Sequence, residues 1–147
     1  MQQGLFWTLA ALLSLGLGCA TSKSAPEAAT TSSADDLRVA AGRADYEAYC
    51  MACHGIEADG NGPIAPYMTP RPSDLRRIAE RRGGVFPHAK LVAWIDGRDP
   101  IASHGTREMP IWGVRFAEGL PPGELSQDLV RGRILTLVEY LRSLQTP

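Results

Sequence analysis

The sequence predicts an all-α fold of short helices joined by long loops. Three observations carry that expectation. An apolar stripe of Leu129, Val130, Ile134, Leu137, Val138, Leu141 and Leu144 recurs at helical spacing near the C-terminus. Gly- and Pro-rich stretches divide the preceding chain into short segments bounded by helix-capping residues. No stretch of useful length alternates apolar and polar residues as a half-buried strand would.

The elements follow in chain order. Asp35 and Asp36 are placed to cap a first helix from Leu37, in which Val39, Gly42, Tyr46 and Tyr49/Cys50 share one face. Residues 55–72 form a loop. Ser73 as N-cap and Gly83 just past the end bracket a short helix with Leu75, Ile78 and Ala79 inside. Pro87 suits the first position of a third helix carrying Leu91, Val92, Trp94 and Ile95 and ending before Gly97. Residues 98–123 form a second long loop, and the last helix starts near Ser126. So few helical residues make a thin core, which calls for something else to fill the middle.

The chain of 147 residues supports a single domain. Fifteen Lys and Arg against 16 Asp and Glu leave a formal net charge of -1, so no global positive field favours nucleic acid. With 44% hydrophobic and 21% charged residues, the composition excludes collagen-like, coiled-coil, polytopic membrane and fully disordered proteins. Three cysteines are too few for a disulfide-dense scaffold.

Residues 1–18 read as an export signal. The uncharged apolar run over 5–17 has the length of a signal-peptide core and is shorter than a membrane-spanning helix. The run ends in Leu15-Gly16-Leu17-Gly18-Cys19, which resembles the lipobox of bacterial lipoproteins and implies a lipidated Cys19 as membrane anchor. A soluble exported protein and an uncleaved anchor helix are the competing readings, and all three place the domain outside the cytoplasm. In residues 20–34, 12 of 15 are Ala, Ser or Thr, so the stretch 19–36 reads as the anchor and a flexible tether, ahead of a folded domain over 37–147.

The chemistry is concentrated in Cys50-Met51-Ala52-Cys53-His54. C-x-x-C-H is the covalent attachment signature of c-type haem. Two thiols three residues apart at a helix end each add to one vinyl group of the same haem, and the next residue then lies under the iron as its ligand. A structural zinc site needs four ligands, and neither a second C-x-x-C nor H-x-x-x-H is present. A Cys50–Cys53 disulfide would explain neither His54 nor the thin core.

Around this motif the sequence resembles a mono-haem class I cytochrome c of the small bacterial respiratory type. Gly42-x-x-x-Tyr46-x-x-x-Cys50 leads into C-x-x-C-H, Gly62-Pro63 follows, then Met109-Pro110-x-Trp112, and the last helix carries Tyr140-Leu141. The resemblance implies helices wrapped around one covalent haem c, with the first and last crossing at Gly42 beside Tyr46 and Tyr140. It also implies a Gly-Pro carbonyl bonded to His54 Nδ1–H, for which Pro63 is the candidate and Pro66 the alternative. For the second axial position Met51 lies within the attachment loop, Met68 follows His54 closely, and Met109 sits in a Met-Pro turn of the kind from which the family takes its ligand. Met109 is the assignment, with His104 and an open or water-bound position as rivals, while His88 reads as a surface residue. Trp112 is a candidate for the haem edge, Arg71 and Arg107 for the propionates. Arg76, Arg77, Arg81 and Arg82 form a basic stretch that either docks an acidic partner or is a solvated face.

His/Met ligation saturates the iron and suits one-electron transfer rather than catalysis. The expectation is therefore a periplasmic-side electron carrier, not an enzyme, held at the membrane through Cys19, passing electrons between redox proteins and binding no nucleic acid. A haem-bearing subunit of a larger membrane oxidoreductase complex is the alternative. A haem sensor or catalyst with a labile sixth ligand is a third.

Overall fold

A computed structural model describes residues 28–97 and 109–146. Every regular element among the described residues is helical and none is a strand. The α-helices are α1 (Ala28–Tyr49), α2 (Met51–His54), α3 (His88–Asp96), α4 (Trp112–Arg115) and α5 (Glu124–Ser143). Three short 3₁₀ turns, at Ala65–Tyr67, Leu75–Arg77 and Glu80–Arg82, lie between α2 and α3.

The core is built on α5. Val130, Ile134, Leu137, Val138, Tyr140 and Leu141 are buried, and α1, α3 and α4 all pack against this helix. A helix that meets three partners needs a wide apolar face, which the closely spaced apolar residues of α5 supply. Leu129 falls outside that face and is 50% exposed, and Leu144 is half-buried at the margin.

α1 crosses α5 where glycine permits it. A Cβ built on Gly42 would overlap the backbone carbonyl of Thr136, so only glycine allows the two backbones to touch. Beside the crossing, Tyr46 is fully buried and its ring lies 5.3 Å from that of Tyr140. Asp45 completes the junction through Arg133, whose Nη2 and Nε donate to its two carboxylate oxygens at 2.6 and 3.1 Å. The Arg133 guanidinium also lies 3.9 Å over the Phe116 ring and 5.3 Å over Tyr49, joining α4 to α1 and α5.

Several boundaries differ from the sequence expectation. α1 begins at Ala28, so the distal part of the expected tether is helical, and Asp35 pairs with Arg38 inside the helix instead of capping it. Tyr49 leaves the buried face and is 45% exposed. The segment between Ser73 and Gly83 forms two 3₁₀ turns instead of one α-helix, and its N-cap is Asp74, which accepts from the Arg76 N–H at 2.9 Å. Gly83 does adopt the left-handed conformation, with φ 68°. Pro87 is the N-cap of α3, one position earlier than expected, and Gly97 ends that helix at φ 68°. α4 occupies part of the expected second loop, and α5 starts at Glu124, with the Ser126 hydroxyl turned to the Pro121 carbonyl.

Candidate functional site

The Cys50–His54 stretch is positioned by the end of α1 and a loop folded back over it. Cys50 caps α2, and the His54 N–H donates to the Cys50 carbonyl at 2.9 Å. Gly55 breaks the turn at φ 85°, and the buried Tyr46 hydroxyl donates to its carbonyl at 2.6 Å. The loop then returns: Gly60 N–H reaches the His54 carbonyl at 2.8 Å, Gly62 N–H the Cys53 carbonyl at 3.2 Å and Ile64 N–H the Ala52 carbonyl at 3.1 Å. A Cβ on Gly62 would overlap the carbonyl oxygen of Ala52, so this return also depends on glycine. The motif is thus fastened by backbone bonds from both sides, with its side chains left to face elsewhere.

His54 has one ring nitrogen committed. Nδ1 lies 3.1 Å from the Ser73 carbonyl oxygen. A carbonyl only accepts, so Nδ1 carries the proton and Nε2 keeps a lone pair. Burial pushes the His54 pKa below its ordinary value, and the Ser73 bond acts in the opposite direction. The ring is held neutral, the form that ligates metal. The expected carbonyl was that of Pro63, with Pro66 as alternative. Both prolines are exposed, and the carbonyl that meets Nδ1 belongs to Ser73 instead. The return loop presents its N–H groups to α2, whereas residues 73–82 run past the imidazole.

His54 opens onto a cavity of about 590 Å³. Leu75, Ile78, Leu91, Trp94, Ile95, Leu137 and Leu141 supply its apolar walls, and Cys50, Tyr46, Met68, Met109 and Trp112 also line it. This volume is within the range of ligand and cofactor pockets. Cys50 meets the cavity directly, and burial pushes its thiol pKa up to about 12, aided by Asp45 and Cys53. Cys53 is half-buried three residues further along the same turn and is not part of the lining. Met109 is 38% exposed at the cavity margin, and Met68 reaches the same space. Trp112 packs against Tyr49 and Phe116 with ring centroids 5.7 and 5.6 Å apart.

The polar part of the lining is one-sided. Arg71, Arg81 and Arg82 border the cavity, and no Asp or Glu among the described residues does. Arg82 lies 4.6 Å over the Trp94 ring, and Arg81 donates to the Asp74 carbonyl at 2.7 Å. The basic stretch divides here, because Arg76 and Arg77 are engaged by Asp74 and Glu80 on the solvent side. Arg81, Arg82 and Trp94 were not assigned to the site from sequence, since arginine spacing alone does not distinguish a solvated face from a cavity rim. His88 is away from the cavity and bonds to Glu139 at 3.0 Å. Cys19, His104 and Arg107 lie outside the described residues.

The residues present fit a c-type haem. An apolar cavity of this size, a neutral imidazole with a free Nε2, a thiol at the wall and guanidinium groups on one side match a large apolar macrocycle with a central metal and carboxylate substituents. Among the described residues no group of three or more His, Cys, Asp or Glu side chains is placed to hold a metal ion. No protein-family model, curated protein or solved structure matches the chain.

Proposed function

We propose that the protein is a one-electron carrier of the class I cytochrome c type, with one haem c attached through Cys50 and Cys53 and its iron held by His54 and Met109. The observation that carries this reading is His54 itself: the histidine of a C-x-x-C-H motif, its Nδ1–H bonded to Ser73, on the wall of an apolar cavity that Met109 also lines. Bound haem c would supply a one-electron ferric/ferrous couple. Residues of the chain do the rest. His54 donates through Nε2, and the Ser73 carbonyl fixes its tautomer and orientation. Met109, which lines the same cavity, would hold the group through a weak neutral thioether that favours its reduced state. The apolar walls exclude water and so limit the reorganisation that accompanies a change of charge. Arg71, Arg81 and Arg82 compensate anionic groups on the ligand's edge.

In the proposed setting, Cys19 is acylated on the periplasmic side, the protein is held at the membrane, and donor and acceptor are redox proteins. No described helix is long and apolar enough to cross a membrane. A visible spectrum of the exported protein, with redox titration and exposure to carbon monoxide, tests the proposal. The expected outcome is a reversible one-electron couple and no carbon monoxide adduct in the native protein. Ready binding of carbon monoxide would replace the carrier with a sensing or catalytic haem protein.

A further inference from the structure

The wall beside His54 is fastened by the residues just past the end of α5. Gln145 Oε1 accepts from the Ala79 N–H at 2.9 Å, and its Nε2 donates to the carbonyls of Leu75 at 2.8 Å and Leu141 at 2.7 Å. The next residue adds a fourth tie, from the Thr146 N–H to the Arg76 carbonyl at 3.0 Å. One side chain therefore spans the two 3₁₀ turns and α5 with both of its N–H groups and its carbonyl engaged. The 3₁₀ turns need such help, because their own hydrogen bonds are few and poorly aligned.

The fastened segment has two connections to the site. Leu75, Ile78, Arg81 and Arg82 line the cavity. Immediately before it stands Ser73, whose carbonyl holds His54 Nδ1 at 3.1 Å. Gln145 is thus bonded to Leu75, Ser73 lies two residues before Leu75 along the chain, and the Ser73 carbonyl meets His54.

We propose that Gln145 is a positioning residue that keeps the Ser73 carbonyl on His54 and thereby sets how strongly His54 donates to a metal. The inference rests on the haem reading above. A hydrogen bond from Nδ1–H to a carbonyl raises the basicity of the opposite nitrogen. A more basic Nε2 stabilises ferric iron more than ferrous, which lowers the midpoint potential. Releasing the latch lengthens that bond and raises the midpoint.

The test uses the full exported protein in its loaded form. Gln145→Met removes all three side-chain bonds at similar volume and adds no charge. Two readouts are needed: the midpoint potential, and solvent exchange of the His54 Nδ1 proton followed by NMR in the reduced protein. Ser126→Ala serves as a control, because it deletes a hydrogen bond at the far end of α5. We expect Gln145→Met to raise the midpoint by an amount equivalent to about a twofold to tenfold change in the ferric/ferrous ratio, with faster Nδ1–H exchange, and Ser126→Ala to change neither. Trypsin should also cut faster at Arg76, Arg77, Arg81 and Arg82 in Gln145→Met. If that variant does not accumulate, Thr146→Pro removes both the N–H and the hydroxyl that donate to the Arg76 carbonyl, restricts the backbone of Gln145 and should give a shift in the same direction. A wild-type midpoint and exchange rate in whichever variant is loaded, or an equal shift in Ser126→Ala, would overturn the proposal. Failure of the haem reading is seen separately, as wild-type protein without bound haem.

Discussion

Tyr46 donates its hydroxyl proton to the Gly55 carbonyl from a fully buried position, immediately behind the turn that presents Cys50 and His54. Gly55 O also receives the Ala58 N–H at 3.1 Å, so it is not orphaned when Tyr46 loses its hydroxyl. Tyr46→Phe should therefore cost about 1 kcal/mol, the ordinary net worth of one hydrogen bond, read as a lower denaturation midpoint at unchanged cooperativity. Arg133 combines an ion pair to Asp45 with contacts over Phe116 and Tyr49. Arg133→Met keeps an apolar stem but leaves Asp45 unpaired, and should destabilise by about 1–2 kcal/mol. For the proposed ligand, Met109→Ala should leave the helices and the covalent haem in place, lower the midpoint potential and open the iron to carbon monoxide. Met68→Ala is the necessary control because Met68 lines the same cavity, and it should leave ligation unchanged. An unaltered spectrum and potential in Met109→Ala would remove Met109 from the iron. At this scale the motif residues were legible because they are contiguous and chemically distinctive. The Ser73 carbonyl was not, because any residue supplies a backbone acceptor and only the path of the chain selects which one.

Two glycines in different helices give opposite expectations. At Gly42, a methyl group would run into the Thr136 backbone carbonyl, which has no flexible end to move aside. Gly42→Ala should push α1 from α5 and cost about 1–3 kcal/mol. Gly132 lies in α5 with open space around its Cβ position. There, Gly132→Ala should stabilise by about 1 kcal/mol through helix propensity. Paired denaturation curves check both, and equal effects would refute the account of the crossing. α5 was legible from sequence because its apolar residues sustain a helical period over many turns, although Leu129 belongs to the exposed side. The segment 73–83 was read as an α-helix because its ends carry good caps. Inside it, long-range partners take backbone groups that an α-helix would satisfy internally: Gln145 binds the Leu75 carbonyl and the Ala79 N–H, and Thr146 the Arg76 carbonyl. α4 is too short for any periodicity to reveal.

At the scale of the molecule, the helices leave a cavity of about 590 Å³ among walls that would otherwise have to meet one another. A group bound in that volume would add contacts with its apolar walls and so stabilise the folded chain. Unloaded protein should therefore be far less stable than loaded protein, as far-UV circular dichroism on heating would register. A thin core was expected from the small number of apolar residues per helix, and the structure has a cavity among the helices. The one-sided distribution of arginines around the cavity was not expected, because Arg71, Arg81 and Arg82 meet there only after the chain has folded. The proposed anchor gives a further test at this scale. Cys19→Ser should move the protein from membranes to the soluble fraction without changing its visible spectrum, and wild-type protein found wholly in the soluble fraction would contradict lipidation.

The central claim is that Cys50 and Cys53 join a haem whose iron His54 holds, and intact-mass measurement of the exported protein after denaturation and acid-organic extraction tests it most directly. The account predicts a polypeptide heavier than its chain by one haem, with the added mass on the peptide containing Cys50 and Cys53 and lost on replacing both cysteines. Haem recovered in the organic phase, or a polypeptide of bare chain mass with two free thiols, would contradict it.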